Sequence, residues 1–185
     1  MTIEWQNRGI NMWTIDSGTV TLVSGTSRYD LPTDTIDLLE QVVRTDSGST
    51  SKQSDLTISR ISVSTYAAIP NKLTQGRPIQ VWIERLTDRP HINVWPVPDK
   101  SGYIFAYYRL RRVEDAGAGV ETADMNFRFL PCLVAGLAYN IAMKVPELID
   151  RVQMLKAVYD EQFNLAASED REKTSAIFVP RISSI

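Results

Sequence analysis

The stretch FRFLPCLVAGLAYNIAMKVPELIDRVQMLKAVYDEQFNLAA, residues 127–167, predicts two helices joined near Lys144, Val145 and Pro146. In the second helix, large apolar residues recur at spacings of four, three, four and four, which places them on one face. They are Leu148, Val152, Leu155, Tyr159 and Phe163. The charged residues fall largely on the other face, so this helix is expected to pack on one side and to meet water on the other.

The first helix is apolar around most of its circumference. Its apolar residues include Leu133, Val134, Leu137, Ala138, Ile141 and Ala142. A helix of this kind needs neighbours on several sides. We therefore expect some neighbours to come from other chains, and Leu133, Leu137 and Ile141 are the candidate subunit contacts.

Composition limits the classes of protein to which the chain can belong. Its 185 residues suffice for one domain, or for a β part and a helical part that share a core. A net charge of −2 excludes the broad basic surface of a general nucleic-acid binder. No apolar run approaches the roughly 18 residues of a membrane span, and no export leader is apparent. We expect an intracellular product with no membrane contact.

The N-terminal residues 2–8 predict a short helix with Trp5 facing inward and Gly9 ending it. So short a helix does not stand alone. Either Trp5 docks onto the helices of residues 127–167, or the reading frame begins later than the ancestral one.

The middle of the chain has the two-residue period of strands. Residues 16–18 (DSG) predict a turn, residues 19–31 a strand, turn and strand, and residues 35–45 a further strand. Residues 78–86 and 91–97 predict a hairpin, and residues 103–112 predict the longest clear strand, completing an antiparallel meander. The expected domains are a helical segment at 1–15, a β domain at 16–113, a helical hairpin at 122–172 and an extended tail at 173–185.

The predicted tail contains apolar residues that need a partner surface. Ile177, Phe178 and Val179 stand in a row, followed by Pro180, Arg181 and Ile182. Terminal residues are usually poorly ordered unless something holds them. The tail is predicted either to bind another protein or to fold back as an edge strand of its own sheet.

Two other groups of residues could form surfaces. Arg109 and Arg111 are predicted to share a strand face that is solvated or part of an interface, which is favoured over a nucleic-acid site. Trp82 and Trp95 lie on the predicted hairpin, as possible cross-strand partners on a partly exposed face. That face suits a subunit contact, with a carbohydrate platform or burial under a long loop as the alternatives.

The sequence offers little for catalysis. The single histidine, His91, fits a strand residue better than a general base, and no nucleophile motif or phosphate-binding loop accompanies it. The single cysteine, Cys132, fits a buried helix residue. The sequence contains none of the cysteine and histidine spacings that are typical of zinc sites. We expect no enzyme activity, no metal and no cofactor, with an unrecognised hydrolase as a remote alternative.

A series of phrases along the chain resembles the head-to-tail adaptors of short-tailed bacteriophages, also called tail tubular protein A or tail accessory factors. The phrases are WQNRGINMWTI at 5–15, YDLPTDTID at 29–37, GRP at 76–78, WPVP at 95–98, YYR at 107–109 and FLPCLVAGLA at 129–138. The resemblance implies an α+β fold, in which a helical bundle with a long C-terminal hairpin carries an antiparallel β-sandwich or barrel and an extended C-terminal tail. Family members usually carry a further N-terminal helix that this sequence lacks.

The resemblance also implies partners and a place in the virion. The chain would be a homo-oligomer, a ring of twelve copies under the portal protein at the head-tail junction. Its tail, residues 174–185, would bind the portal through Ile177, Phe178, Val179 and Ile182. The ring would also meet the tail nozzle or tail tube protein, and genomic DNA would pass through it without sequence-specific binding. A β-sandwich carbohydrate-binding or tail-fibre module remains the alternative.

Overall fold

The structure is a computed structural model that describes residues 1–10, 12–114 and 124–169. The chain divides into two compact units. One, the helical unit, consists of Met1–Trp13 and Asp115–Ile185, and the other, the β unit, of Thr14–Glu114.

The helical segments occur mainly near the two ends of the described chain. The α-helices are α1 Thr2–Asn7, α2 Val63–Ala67, α3 Leu130–Ala142 and α4 Val152–Glu169. Short 3-10 segments lie at Met12–Thr14, Phe127–Phe129 and Pro146–Arg151. The predicted second helix therefore opens as a 3-10 segment at Pro146, and its α-helical part begins at Val152. Ser62 caps α2, because its hydroxyl accepts from the Thr65 N–H.

The strands of the β unit, in chain order, are β1 Ile15–Thr21, β2 Arg28–Asp30, β3 Thr35–Thr45, β4 Ser54–Thr57, β5 Ser59–Arg60, β6 Gln75–Gly76, β7 Gln80–Glu84, β8 His91–Trp95, β9 Val97–Pro98 and β10 Ile104–Arg111. Two sheets have four strands each, in the orders β1-β10-β3-β4 and β2-β8-β7-β5, and β6 pairs with β9. Most pairs are antiparallel, but β5–β7 and β6–β9 are parallel.

The β unit has an apolar core to which residues of both four-stranded sheets contribute. It includes Leu22, Leu31, Leu38, Val43, Ile58, Val81, Ile83, Ile92, Val94, Tyr103, Phe105 and Tyr107. The predicted hairpin is confirmed, since β7 and β8 pair with Val81 opposite Val94 and Ile83 opposite Ile92. Along the strands these four side chains alternate with polar residues and with Trp82 and Trp95, which are half-buried, and such alternation is typical of a sheet with one side packed on a core.

Some predicted strand partners are wrong. The strand-turn-strand unit at residues 19–31 is divided, because β1 pairs with β10 in one sheet and β2 with β8 in the other. The predicted meander ends at β8, because β10 pairs with β1 and β3 and not with β8. The strand at residues 103–112 was also expected to be the longest, but β3 is longer than β10. Turn-forming residues occur both in hairpins and in connections that pass from one sheet to the other. Composition alone therefore did not distinguish the two.

The predicted turn at residues 16–18 is part of β1. Gly18 lies opposite Tyr107 on β10, and a Cβ atom at Gly18 would stand 2.5 Å from the Tyr107 ring. The glycine is therefore required by the close approach of a buried tyrosine, and not by a turn.

Trp5 anchors α1 within the helical unit, as one of the two sequence hypotheses predicted. Its side chain is fully buried, its ring centroid lies 5.4 Å from that of Phe129, and its indole N–H donates to the Tyr159 hydroxyl at 3.0 Å. Gly9 ends the helix with a positive φ of 87°. The same core includes Ile10, Cys132, Phe163 and Ala166.

Gly136 allows α3 to approach α4 closely. A Cβ atom at this position would stand 2.9 Å from the Tyr159 ring, which is closer than packed side chains tolerate. Tyr139 of the same helix stacks on the Tyr159 ring at a centroid distance of 6.3 Å. The fold is thus a mixture of helices and largely antiparallel sheets with a helical C-terminal region, and the described strands do not close into a barrel.

Candidate functional site

The most unusual surface of the helical unit is an exposed apolar stripe on α3. We call Leu130, Val134, Leu137 and Ile141 the α3 stripe, and each is between 47% and 67% exposed. They recur at spacings of four, three and four, so they share one helix face. The buried residues of α3, among them Cys132 and Gly136, occupy the opposite face against Tyr159.

The composition of α3 makes water a poor neighbour for this stripe. The helix sequence LPCLVAGLAYNIA contains no charged residue. Just before it, Phe127 is 73% exposed. Single exposed apolar residues are common, but a contiguous apolar patch on a protein surface usually marks an interaction site.

A second stripe runs along α4. Met154, Val158 and Leu165, the α4 stripe, are between 41% and 60% exposed. The core-facing residues of the same helix are Tyr159, Phe163 and Ala166, with Val152 and Leu155 half-buried, as the sequence predicted for this face. The helix therefore has a buried apolar face and, on another side, three exposed apolar residues with the exposed Glu161 among them.

The predicted subunit contacts on α3 lie in two environments. Leu137 and Ile141 belong to the α3 stripe, whereas Leu133 is half-buried and packs against the core of the helical unit. Leu130 and Val134 share this exposed face but were not among the predicted contacts, and neither were Met154, Val158 and Leu165. The four, three, four spacing and the absence of charge in residues 130–142 were the available signals.

Trp82 and Trp95 are half-buried on the outer face of the β7–β8 hairpin. They are diagonal neighbours and not direct partners, because Trp82 lies opposite Asn93 and Trp95 opposite Gln80. The Tyr66 ring of α2 lies 5.1 Å from the Trp82 ring, and the Trp95 indole N–H donates to the Asn71 carbonyl at 3.1 Å. Both tryptophans thus contact the segment at residues 63–74, as the alternative of burial under a long loop expects. Their role as subunit contacts remains a prediction.

The predicted portal-binding residues lie outside the described residues. They are Ile177, Phe178, Val179, Pro180, Arg181 and Ile182. Their role also remains a prediction.

Arg109 lies in an ion-pair cluster, and the prediction of a solvated or interface face is wrong for it. Its side chain is only 10% exposed. The guanidinium donates to the carboxylates of Asp34 and Asp16 and, at 3.0 Å, to the Thr35 hydroxyl. Asp34 and Asp16 are 75 and 93 residues away in sequence, so only the fold reveals them. The paired guanidinium is not available to a phosphate.

This cluster predicts a pH-dependent stability. Burial by itself would raise the pKa of Asp34, but the hydrogen bond and charge of Arg109 outweigh it, so the pKa lies below its usual 3.8. A carboxyl whose pKa is lowered by folding contributes stability above its unfolded pKa, and that stability is lost as the pH falls through the folded pKa. The contribution of Asp34 is therefore complete at neutral pH and declines below about pH 4.

We expect Arg109→Met to lower the free energy of unfolding by about 1–3 kcal/mol at neutral pH, since it leaves two carboxylates without their partner. The variant should also lose less stability than the parent between neutral and acid pH. Urea titrations at both pH values measure these differences. Arg44→Met, which breaks an exposed pair with Asp55, is the matched control and should cost less. Equal losses for the two variants would contradict the assignment.

His91 and Cys132, the other residues considered for chemistry, lie in environments typical of structural residues. His91 lies on β8, and its Nδ1 is 2.9 Å from the Asp30 carboxylate, which also accepts from Arg89. Cys132 is buried, and burial raises the pKa of its thiol to about 11. Within the described residues, no His, Cys, Asp and Glu group could hold a metal ion, and no helix there is long and apolar enough to span a membrane.

Comparison with known proteins identifies the family. No curated protein matches the chain. The family model of the SU10 adaptor protein, however, matches residues 3–181 of the 185. The match confirms the resemblance to phage head-to-tail adaptors and supports a structural role in a phage particle. The chain belongs to the SU10 adaptor protein family.

Proposed function

We propose that this chain assembles into a closed ring that connects the phage portal to the tail and extends the channel for DNA. The observation that carries the proposal is α3, a helix without a charged residue whose α3 stripe is exposed in the single chain. Neighbouring subunits of a ring would cover such a stripe, since subunit interfaces have apolar centres with few charges.

A closed ring explains how contacts of modest size could hold firmly. Once a few copies are bound to the portal, each further copy meets its neighbours at a high effective concentration. The ring then gains from every repeated contact and needs no bond chemistry. The resemblance implies twelve copies, and we adopt this number for the proposal.

The charge of the chain suits a channel through which DNA slides. With 20 basic and 22 acidic residues, the chain has little excess positive charge to hold phosphates. Arg109, in the basic run of residues 109–112, is neutralised by aspartates. Passage of genomic DNA without sequence-specific binding is consistent with both features.

The other surfaces receive roles by analogy with the family. Residues 174–185 would bind the portal, and the β unit would face the tail nozzle or tail tube protein. The carbohydrate-binding alternative is less favoured, because the Trp82 ring lies against the Tyr66 ring and the Trp95 indole N–H already donates to the Asn71 carbonyl.

Removing the tail tests the portal contact. We expect a chain that lacks residues 174–185 to remain folded, as judged by circular dichroism, and to lose binding to its cognate portal protein in co-sedimentation. A full-length variant with serine at positions 177, 178 and 179 is the matched control for chain length, and it should also fail to bind. Portal binding equal to that of the parent by both variants would refute the role of the tail.

A further inference from the structure

We propose that the β1 edge, the side of β1 that faces away from β10, binds an extended segment of the tail nozzle protein as an added strand. The inference rests on the proposed function, in which the β unit faces the tail, and it specifies the surface that is used. β1 lies at one end of the order β1-β10-β3-β4, so no described strand covers this edge. Strand addition to an open sheet edge is a common mode of peptide recognition.

The register of β1 shows which backbone groups are open. β1 pairs with β10 without a shift, and the residue after it, Leu22, donates its N–H to the Tyr103 carbonyl at 2.8 Å. Residues that bond to the neighbouring strand alternate with residues that point away from it. The N–H and C=O groups of Thr19 and Thr21 therefore point outward, and no described residue bonds to them.

The chain itself closes the β1 edge on both sides of these two threonines. On one side, the Ser17 N–H donates to the Asp16 carboxylate at 3.1 Å. On the other side, the Val23 N–H donates to the Tyr29 hydroxyl at 2.9 Å. The open part of the edge is thus short and defined, and it presents a donor and an acceptor on each threonine.

The β1 edge lacks the features that usually prevent strand addition, which are proline, lysine, a bulge or a very short strand. β1 contains neither proline nor lysine, its register is unbroken, and its one charged residue, Asp16, pairs with Arg109. It is seven residues long, whereas the other edge strands of the two four-stranded sheets, β2, β4 and β5, have two to four residues. Of these edges, β1 is the best suited to accept another strand.

The Tyr107 hydroxyl is a second, independent indication of a ligand at this edge. Tyr107 is 5% exposed, and its ring tip lies over Gly18, because a Cβ atom there would stand 2.5 Å from both Cζ and the hydroxyl oxygen. The side chain thus crosses from β10 to the edge strand. Its hydroxyl has no hydrogen-bond partner among the described residues, although buried tyrosine hydroxyls usually have one. A polar side chain opposite Gly18 on an added strand would lie on the same face and supply that partner.

The two faces of β1 define the sequence that the added strand should have. On the core side, Val20 is half-buried and packs against the core of the β unit, so its neighbour should be apolar. The neighbour of Gly18 should be polar, to bond the Tyr107 hydroxyl. On the outer side, β1 presents serine and threonine, which suit small or β-branched cross-strand partners.

A second copy of this chain fits the β1 edge less well. Two copies that paired through the same edge would be related by a two-fold axis, which does not occur between neighbours of a closed ring with one end on the portal. The opposite edge of the sheet, β4, has only four residues and would leave part of β1 open.

Thr19→Pro tests the β1 edge in the portal-bound ring. The substitution removes an outward N–H and obstructs an added strand, but it breaks no bond to β10, and proline is tolerated at such edge positions. We expect normal folding by circular dichroism and normal assembly on the portal, with affinity for the cognate tail nozzle protein reduced about tenfold or more. Thr19→Ala, the matched control, keeps the N–H and should bind nearly as well as the parent. Tyr107→Phe, which removes only the hydroxyl, should weaken binding roughly fivefold.

Hydrogen exchange of the unmodified chain, resolved to single residues, provides a readout that needs no substitution. The amides of Thr19 and Thr21 should exchange rapidly in the free chain and in the portal-bound ring, and should become protected when the nozzle protein binds. The Val20 amide, which faces β10, should be protected in all three states. Protection of the threonines in the free chain would overturn the inference, because the chain would then cover its own edge. Protection on ring assembly alone would overturn it in favour of a neighbouring copy.

The same experiments distinguish this inference from the proposed function. If the nozzle protein binds the ring while both threonine amides stay unprotected, or if Thr19→Pro binds no more weakly than Thr19→Ala, the inference is wrong and the proposed function stands. If the nozzle protein does not bind the portal-bound ring at all, the proposed connection to the tail is itself refuted.

Discussion

Replacing Leu137 by glutamate is expected to leave the chain folded and to stop its assembly on the portal. Leu137 lies in the middle of the α3 stripe, on the helix face opposite the core, so its side chain contributes little to the stability of the single chain. Glutamate is nearly as good a helix former as leucine. In an assembled ring the same carboxylate would be buried against apolar side chains without a partner, which is strongly unfavourable.

The expected effect is large because it is repeated at every contact. A loss of about 3 kcal/mol at one contact weakens it by roughly 100-fold or more. Sedimentation with the portal measures assembly, and circular dichroism measures folding. Leu73→Glu makes the same change at an exposed leucine on a loop of the β unit and should assemble normally. If the Leu137→Glu variant assembled normally, the α3 stripe would not be part of the interface.

Trp5→Ala is expected to have the largest effect on stability. The substitution empties a fully buried site that contacts Phe129 and removes the donor to the Tyr159 hydroxyl. Large-to-small changes of a buried tryptophan cost about 3–5 kcal/mol. In a unit of this size such a loss lowers the melting temperature by roughly 10 °C or more.

Thermal unfolding followed by circular dichroism checks this expectation. Ile3→Ala lies on the same short helix at an exposed position and should change the melting temperature little. Trp5→Phe retains a ring but not the indole donor, so an intermediate loss is expected. If the Trp5→Ala and Ile3→Ala variants have the same melting temperature, the N-terminal helix is not a structural part of the helical unit.

Periodicity predicted the features that depend on neighbours in sequence. The core face of α4, the end of α1 at Gly9 and the β7–β8 hairpin followed from local patterns that the structure confirms. Docking of Trp5 was one of two possibilities, because a short apolar helix requires a partner but does not specify it.

Features that depend on distant residues could not be predicted in the same way. The burial of Arg109 depends on Asp16 and Asp34, and nothing in the local sequence around residue 109 indicates them. Similarly, β1 and β2 flank one short connection, yet each pairs with a strand much later in the chain. Pairing of this kind is decided by which apolar faces meet in the core.

The candidate site was predicted only in outline. A helix that is apolar all round indicates several neighbours, but the sequence does not distinguish the side that packs within the chain from the side that remains exposed. The small residues Cys132 and Gly136 decide this, because they let Tyr159 approach one face of α3 and leave the bulky Leu130, Val134, Leu137 and Ile141 on the other.

The central claim is that the chain forms a ring on the portal, and native mass spectrometry of the chain mixed with its cognate portal tests it most directly. We predict one discrete complex in which a closed ring of identical copies, twelve by the family resemblance, is added to the intact portal, and averaged images should show that ring on the portal axis. An unchanged portal beside a monomeric chain would contradict the account.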